Sequence, residues 1–293
     1  MQESIISSVF LPLAIFVIMV AMGMSLVSDD FRRVLAQPRQ VAIGLLCQLV
    51  LLPLVGFGVA TLFALSSVYA ISIVLLAAAP GGSTSNVIVH AADGDRALSV
   101  TLTALSNSVV WLTMPFLLSI AFARFGGEAQ TIEFPVVDTM IQIAALTIVP
   151  VIIGMFIRNR NPEFAERTQD KSKTLATGFL FLVIIALVIQ NWATILNEGP
   201  RFAPAFIVLN FVALAVGYLV ACAAKIDGVQ STTIAIETGI QNGTIAITIA
   251  ISVLGNNEMA VIPGLYSIWM LITGFALARW YAGRRMAAVV SAA

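Results

Sequence analysis

Apolar runs of about 20 residues recur along almost the whole chain, and each is long enough to cross a bilayer as a helix. Hydrophobic residues fill 59% of the 293 positions, charged residues fill 10%, and the mean hydropathy is +0.99. Inside a bilayer every backbone N–H and C=O must be bonded within the protein, and a helix achieves this in one segment. The sequence therefore predicts an all-α polytopic membrane protein, with residues 1–293 as a single transmembrane domain.

The apolar runs predict nine transmembrane helices. The first run follows no basic region and ends at no small-residue cleavage site, so we expect a retained span rather than a signal peptide. The predicted crossings lie at about 5–27, 41–63, 68–91, 97–121, 136–157, 174–188, 204–224, 229–254 and 259–278. The charged stretch 158–173 is predicted to be a solvated loop on the inner side.

The basic residues orient these crossings. With the N-terminus outside, only Arg124 and Arg201 fall in outer loops. The inner loops then hold thirteen basic residues: Arg32, Arg33, Arg39, Arg96, Arg158, Arg160, Arg167, Lys171, Lys173, Lys225, Arg279, Arg284 and Arg285. This positive-inside asymmetry predicts a bacterial inner (plasma) membrane protein with its N-terminus outside and its C-terminus in the cytoplasm.

Two of the predicted spans are interrupted by polar and helix-breaking residues. The third contains Pro80-Gly81-Gly82, followed by three hydroxyl residues and Asn86. Proline cannot donate a backbone hydrogen bond and glycine tolerates unusual dihedral angles, so the helix is expected to open at residues 80–86. Because the basic residues keep alternating downstream, each interrupted run is expected to cross the membrane once, as two half-helices.

The second interruption, at residues 237–243, carries a carboxylate at membrane depth. Glu237 is followed by Gly239, Gln241, Asn242 and Gly243. A carboxylate at the bilayer centre costs about 2.5–3.5 kcal/mol on insertion scales, so a cation, a proton or a polar cavity must satisfy it. Neutral oxygen donors beside this carboxylate favour a cation site.

The two interruptions enter the membrane from opposite sides, which suggests inverted repeats. The first repeat would cover about residues 1–122 with four spans, and the second about residues 135–285 with five. The first repeat is therefore one helix short. A binding site is expected where the two breaks meet near the midplane.

Four motifs together resemble the bile acid:sodium symporter family over nearly the whole chain. They are Met22-Gly23-Met24 with Asp30-Phe31, the run from Pro80 to Asn86, Ala97-Leu98-Ser99, and the run from Glu237 to Asn242. The resemblance implies an inverted-repeat fold with panel and core domains and two crossing discontinuous helices. Bacterial members have ten spans in two five-helix repeats, and this chain looks like a nine-span form that lacks the first helix.

The resemblance also implies two sodium sites and a solute site, with sodium as a coupling ion and no other cofactor. The first sodium site would use Ser85, Asn86, Ser99, Thr103 and Glu237. The second would use Gln48, Glu237, Gln241 and the backbone carbonyls of Thr238 and Ile240. The substrate anion would lie beside Ser83, Thr84, Asn242 and Gly243.

The expected function is sodium-coupled import of an organic anion by alternating access. Cargo of the pantoate type or a bile-acid-like compound is implied by the resemblance, although Met270 stands where some bile-acid-binding relatives carry histidine. Proton coupling through Glu237 is the alternative within the same architecture. An intramembrane enzyme or a sensor is the alternative from another class, but His90 is the only histidine and has no evident partner.

Several partners are not expected. The formal net charge is zero, which gives no global attraction to nucleic acid. No phosphate-binding loop and no nucleophile or metalloprotease motif is present, so we predict no enzyme activity and no ATPase subunit. The expected partners are Na⁺, an organic anion and the lipid bilayer.

Overall fold

The computed structural model describes residues 11–26, 37–127 and 134–292, and all regular elements in these residues are helical. Asp30 and Phe31, part of one family motif, lie outside the described residues. The first five helices are α1 (Leu11–Ser25), α2 (Pro38–Leu62), α3 (Ser67–Ala77), α4 (Ser83–Ala91) and α5 (Arg96–Phe125). They are followed by α6 (Val136–Arg160), α7 (Pro162–Gln190), α8 (Trp192–Ala223), α9 (Gly228–Gly239), α10 (Gly243–Thr248) and α11 (Val261–Ala292).

Six segments in the described residues are long and apolar enough to cross a membrane. They are Pro38–Leu62, Arg96–Phe125, Val136–Arg160, Trp192–Ala223, Gly228–Val253 and Glu258–Arg284. Three shorter apolar segments accompany them: Phe16–Ser25, Ser67–Ala77 and Leu180–Gln190. The protein is thus a multi-pass membrane protein with six candidate spans. Each predicted crossing overlaps one of these nine segments, although several bounds differ, and the total of nine crossings stays a prediction.

The predicted inner loop at 158–173 is wrong. Helix α6 continues to Arg160, and α7 begins at Pro162, so Asn161 alone separates them. Proline is well suited to the first turn of a helix, and the Asn161 side chain accepts a hydrogen bond from the Phe164 N–H at 3.0 Å. The charged residues between 162 and 173 therefore form the first turns of α7, which continues into the apolar segment Leu180–Gln190.

Both predicted interruptions exist, but each is shorter than the sequence suggested. The first break covers residues 78–82 rather than 80–86, because Gly82 is extended and α4 starts at Ser83. The second covers residues 240–242 rather than 237–243. Glu237 therefore lies in the last turn of α9, close to the carbonyl end of that half-helix.

The π turn Cys47–Leu51 widens α2 just before Pro53. The Leu52 N–H bonds back five residues to the Cys47 carbonyl, and Pro53 has no N–H to continue the ladder. Such turns inside α helices are frequent at functional sites. Gln48 lies within this turn.

Helices α1, α6 and α7 pack on one another, while α9 packs against α2, α4, α5, α8 and α11. Two glycines bring α1 and α6 close together. A β-carbon at Gly23 would lie 2.2 Å from the Val151 carbonyl oxygen, and one at Gly154 would lie 2.1 Å from that of Val20. The glycine of the Met22-Gly23-Met24 motif is thus required for backbone contact between these two helices.

Candidate cation and solute sites

The two helix breaks meet inside the protein. The Asn242 N–H donates to the Ala79 carbonyl across the breaks at 3.3 Å. A β-carbon at Gly82 would lie 3.1 Å from the Asn242 amide carbon, so the first break has little room for a side chain there. Ala79 is fully buried and Asn242 is 8% exposed. The contact fixes the ends of α4, α9 and α10 around one point.

Glu237 is completely buried beside this crossing. Its Oε1 accepts a hydrogen bond from the Ser99 hydroxyl at 2.6 Å. Its Oε2 accepts from the Thr103 hydroxyl at 3.0 Å and from Gln48 Nε2 at 3.3 Å. All of these partners are neutral, so hydrogen bonds stabilise the carboxylate, while no side-chain cation among the described residues pairs with it.

The oxygens around Glu237 outnumber the protons available to them. The Ser99 hydroxyl oxygen lies 2.5 Å from Asn86 Oδ1 and 2.6 Å from Glu237 Oε1, yet it carries one proton. The Thr103 hydroxyl oxygen is likewise shared, at 3.0 Å from Glu237 and 3.4 Å from Asn86. Close oxygens without a proton between them repel each other unless a cation lies among them. This geometry suits a hard cation.

Ser85 completes the set of five residues proposed for the first sodium site. Its hydroxyl donates to the Gly82 carbonyl at 2.6 Å in this structure. The Ser85 hydroxyl nevertheless lies near the carboxylate. A β-carbon built on Gly81 would be 3.2 Å from Ser85 Oγ and 2.9 Å from Glu237 Oε2, so both oxygens face the same point. The structure therefore brings Ser85, Asn86, Ser99, Thr103 and Glu237 together.

The open end of α9 supplies a second group of oxygens. A helix end leaves its last carbonyls without helical partners and carries partial negative charge. Gln48 Nε2 donates to the Glu237 carbonyl at 3.0 Å, and Gln241 Nε2 donates to the Thr238 carbonyl. Within the described residues, the amide oxygens of Gln48 and Gln241 are buried and have no hydrogen-bond partner. Two acceptors are thus free near the Glu237 and Thr238 carbonyls, of which only the Thr238 carbonyl was predicted for the second site.

A hydrogen-bonded pair that the sequence reasoning missed holds the same helix end. The Tyr266 hydroxyl donates to the Gly239 carbonyl at 2.7 Å, and Asn210 Nδ2 donates to it at 3.0 Å. Both side chains are fully buried. The available signal was one asparagine within the apolar run 204–224 and one tyrosine within the run 259–278, since buried polar groups need partners.

The predicted solute residues line a small cavity of about 30 Å³ beside the crossing, and Gln241, which was predicted for the second sodium site, lines it as well. Its polar wall contains Ser83, Thr84, Asn242 and Gly243. Its apolar wall comes from α1, α7 and α11, with Ile18, Met19, Met22, Leu180 and Met270. This volume admits water, whereas ligand pockets measure about 300–1,000 Å³. A bound organic acid therefore requires the walls to separate.

Comparison with known proteins identifies the kind of protein that carries this arrangement. The sequence profile of the Sodium Bile acid symporter family matches residues 12–198, which is more than half of the chain. This chain belongs to that family. The family consists of sodium-coupled transporters and is not enzymatic, which agrees with the prediction that the chain is not an enzyme.

Relatives in the family come from bacteria, plants and animals. The chain is 30% identical to "Probable sodium/metabolite cotransporter BASS1, chloroplastic" of Arabidopsis thaliana over 89% of its own length and 63% of the relative's. It is 26% identical to "Uncharacterized sodium-dependent transporter YocS" of Bacillus subtilis, over 94% of its length and 83% of the relative's. It is 28% identical to the human "Ileal sodium/bile acid cotransporter", over 92% of its own length and 77% of the relative's. The chain thus spans less than two thirds of the plant relative.

The ligand types at the crossing are oxygen donors, which suit a hard cation. Among the described residues, no group of three or more His, Cys, Asp or Glu side chains could hold a metal ion. The groups around Glu237 are hydroxyl, amide and carbonyl oxygens. Hard oxygen donors suit hard cations rather than the soft or borderline metals that take sulfur or imidazole.

Tyr266→Phe is expected to weaken sodium binding about fivefold, equivalent to about 1 kcal/mol for one lost hydrogen bond to the Gly239 carbonyl. The reason is that the end of α9 loses one of its two donors and the neighbouring carbonyls become less well ordered. The measurement is the Na⁺ concentration that gives half of the maximal thermal stabilisation. Tyr281→Phe, which changes a half-buried tyrosine on α11, the helix that also carries Tyr266, is the matched control. Equal sodium titrations for both variants would contradict this role.

Proposed function

We propose that the protein is a sodium-coupled symporter that imports an organic anion by alternating access. The observation that carries the proposal is Glu237, a fully buried carboxylate whose partners are all neutral. A charge held in this way is unfavourable at membrane depth without a counter-ion. Membership of a family of sodium symporters supports Na⁺ as that counter-ion.

The first proposed sodium ion lies among Ser85, Asn86, Ser99, Thr103 and Glu237. The second lies among Gln48, Glu237, Gln241 and the Thr238 and Ile240 carbonyls. In this structure, amide N–H groups of Gln48 and Gln241 occupy the carbonyls of Glu237 and Thr238. Rotation of the two amides would present their unpartnered oxygens instead, and would convert a hydrogen-bonded helix end into a cation site.

The anion is proposed to bind in the small cavity beside the crossing. Helix starts carry free N–H groups and partial positive charge, and α4 begins at Ser83 and α10 at Gly243 beside the small cavity. Cations therefore face the carbonyl end of α9, and the anion faces the amino ends of the half-helices. The described part of the cavity lining contains no Lys or Arg, so amides, hydroxyls and the bound sodium ions would hold the carboxylate.

The solute is proposed to be a small organic acid of the pantoate type, with a bile-acid-like compound as the second choice. The plant relative's name specifies a metabolite and the human relative's name specifies bile acid. Apolar side chains on α1, α7 and α11 would contact an aliphatic body, while the breaks contact its carboxylate. Met270 in this lining offers no hydrogen-bond donor to a larger polar ligand.

The movement is proposed to occur between α1, α6 and α7, as a panel, and the helices around the breaks, as a core. The predicted inverted repeats, about 1–122 and about 135–285, would relate the two breaks. The basic residues support the proposed orientation, with the N-terminus outside and the C-terminus in the cytoplasm of a bacterial inner membrane. An inward Na⁺ gradient would make the outer solution the source of solute.

Uptake of radiolabelled small organic acids into proteoliposomes tests the function. An inward Na⁺ gradient is expected to drive accumulation, and an equal K⁺ gradient is not. A pH gradient without sodium should also fail, whereas uptake driven by it would support proton coupling through Glu237. Candidate acids can first be ranked by thermal shift, because a real solute should stabilise the protein more when sodium is present. Absence of sodium-driven uptake for every acid that binds would overturn the proposal.

A further inference from the structure

Two buried hydroxyl groups, one in α10 and one in the π turn that follows it, have no role in the sites described above. Thr248 is 1% exposed, and its hydroxyl oxygen has no hydrogen-bond partner within the described residues. The hydroxyl oxygen of Ser252, in the π turn Ile249–Val253 that continues α10, is also buried and unpartnered. Serine and threonine in helices commonly bond to the carbonyl four residues earlier, as Thr238 does to Ile234 at 2.7 Å. The hydroxyls of Thr248 and Ser252 make no such bond to the backbone.

Thr248 and Ser252 share a helix face with Thr244, which lines the solute cavity. Residues four apart on a helix lie on one side, so the three hydroxyls form a row that begins at the cavity. The row runs along α10 away from the crossing, toward the turn at 254–257. On the proposed topology this is the outer side of the membrane.

The neighbours of α10 show what this face meets. Gly243 faces α11, since a β-carbon there would lie 1.8 Å from Ser267 Oγ. The Asn242 N–H reaches Ala79 at the end of α3. Helix α1 also packs against α10, α6 packs against the π turn, and the short 3₁₀ turn Glu258–Ala260 packs against both. Thr244 shares the cavity lining with Met19 of α1 and Leu180 of α7, so the row begins at the boundary between α10 and the group formed by α1, α6 and α7.

We propose that Thr244, Thr248 and Ser252 line the outer half of the solute pathway, which is closed in this structure. Burying an unpartnered hydroxyl is unfavourable, so these positions gain hydrogen bonds when α1 and α6 separate from α10 and water enters. The three hydroxyl groups would then form hydrogen bonds with water and with polar groups of the passing solute. The inference rests on the proposed transport function, and it adds the route by which solute reaches the cavity from outside.

The test uses single cysteines in a Cys47→Ala/Cys222→Ala background and a membrane-impermeant thiol reagent added from outside. Thr248→Cys and Ser252→Cys are expected to react at least about tenfold faster than Ala250→Cys, because thiol reactivity requires access. Ala250 is the matched control, since it is fully buried and lies two residues from Thr248, about 200° around the helix. Saturating solute should slow the reaction at both row positions.

A second measurement distinguishes a pathway role from packing. Thr248→Val keeps the shape and removes the hydroxyl, so the maximal uptake rate should fall about fivefold while the half-saturating Na⁺ concentration stays constant. Thr248→Ser should retain the rate. If sodium-driven uptake is intact but the row cysteines react no faster than Ala250→Cys, the pathway is wrong and the transport function stands. If sodium drives no uptake in the unsubstituted protein, the proposed function itself fails, and fast labelling would then report only an opening beside α10.

Discussion

Glu237→Gln is expected to lower sodium affinity by at least about 100-fold, which corresponds to about 2.7 kcal/mol. The carboxylate is the only charged group among the residues proposed to bind the two cations, and glutamine keeps its shape without its charge. Thermal stability without sodium should not fall, because the variant no longer holds a charge that costs about 2.5–3.5 kcal/mol at membrane depth. The combined signature is a folded protein that no longer responds to sodium.

The measurement is the thermal unfolding temperature of the purified protein with and without Na⁺, at constant ionic strength with K⁺. Glu258→Gln is the matched control. That carboxylate is half-buried, accepts a hydrogen bond from the Tyr69 hydroxyl at 2.7 Å and belongs to neither proposed site. The control should keep the sodium-dependent shift, and a Glu237→Gln protein that also kept it would remove Glu237 from the cation sites.

Gly81→Ala is expected to reduce sodium affinity at least about tenfold, or about 1.4 kcal/mol, by steric intrusion rather than by loss of charge. A β-carbon at Gly81 would lie 2.9 Å from Glu237 Oε2, 3.1 Å from the Glu237 carbonyl and 3.2 Å from Ser85 Oγ. The added methyl group would therefore stand among the oxygens of the first site. Overpacking of this kind also typically lowers the free energy of unfolding by about 1–3 kcal/mol.

Sodium-driven uptake and the sodium-dependent thermal shift measure this effect together. Gly58→Ala on α2 is the matched control, because a β-carbon there meets no atom within 4 Å. The control should transport like the unsubstituted protein. Normal sodium affinity in Gly81→Ala would mean that the cation lies away from the space between Gly81 and the carboxylate.

The sequence was sufficient for the parts of the fold that depend on local chemistry. Pro80, Gly81 and Gly82 signalled the first break, and the polar run after Glu237 signalled the second, because both violate the pattern of a continuous apolar helix. Local rules could not give the break limits. In the structure, residues 83–86 form the first turn of α4, and Glu237 lies in the last turn of α9, so neither belongs to a break.

The contacts between distant segments required the three-dimensional structure or the family resemblance. Nothing local places Gln48 beside residue 237, because they are 189 positions apart and meet only when α2 packs against α9. The Tyr266 and Asn210 contacts with the Gly239 carbonyl were missed for the same reason, since each residue alone could as well have been a local packing feature.

Isothermal titration calorimetry with NaCl, with KCl and LiCl as controls, measures whether the protein binds sodium in preference to other alkali cations. Two sodium sites that share Glu237 should give saturable heat for Na⁺ with a stoichiometry of two, no saturable heat for K⁺, and loss of the Na⁺ heat in Glu237→Gln. Indistinguishable titrations for Na⁺ and K⁺ in the unsubstituted protein would contradict the proposal that the buried carboxylate and its neutral oxygen neighbours bind sodium.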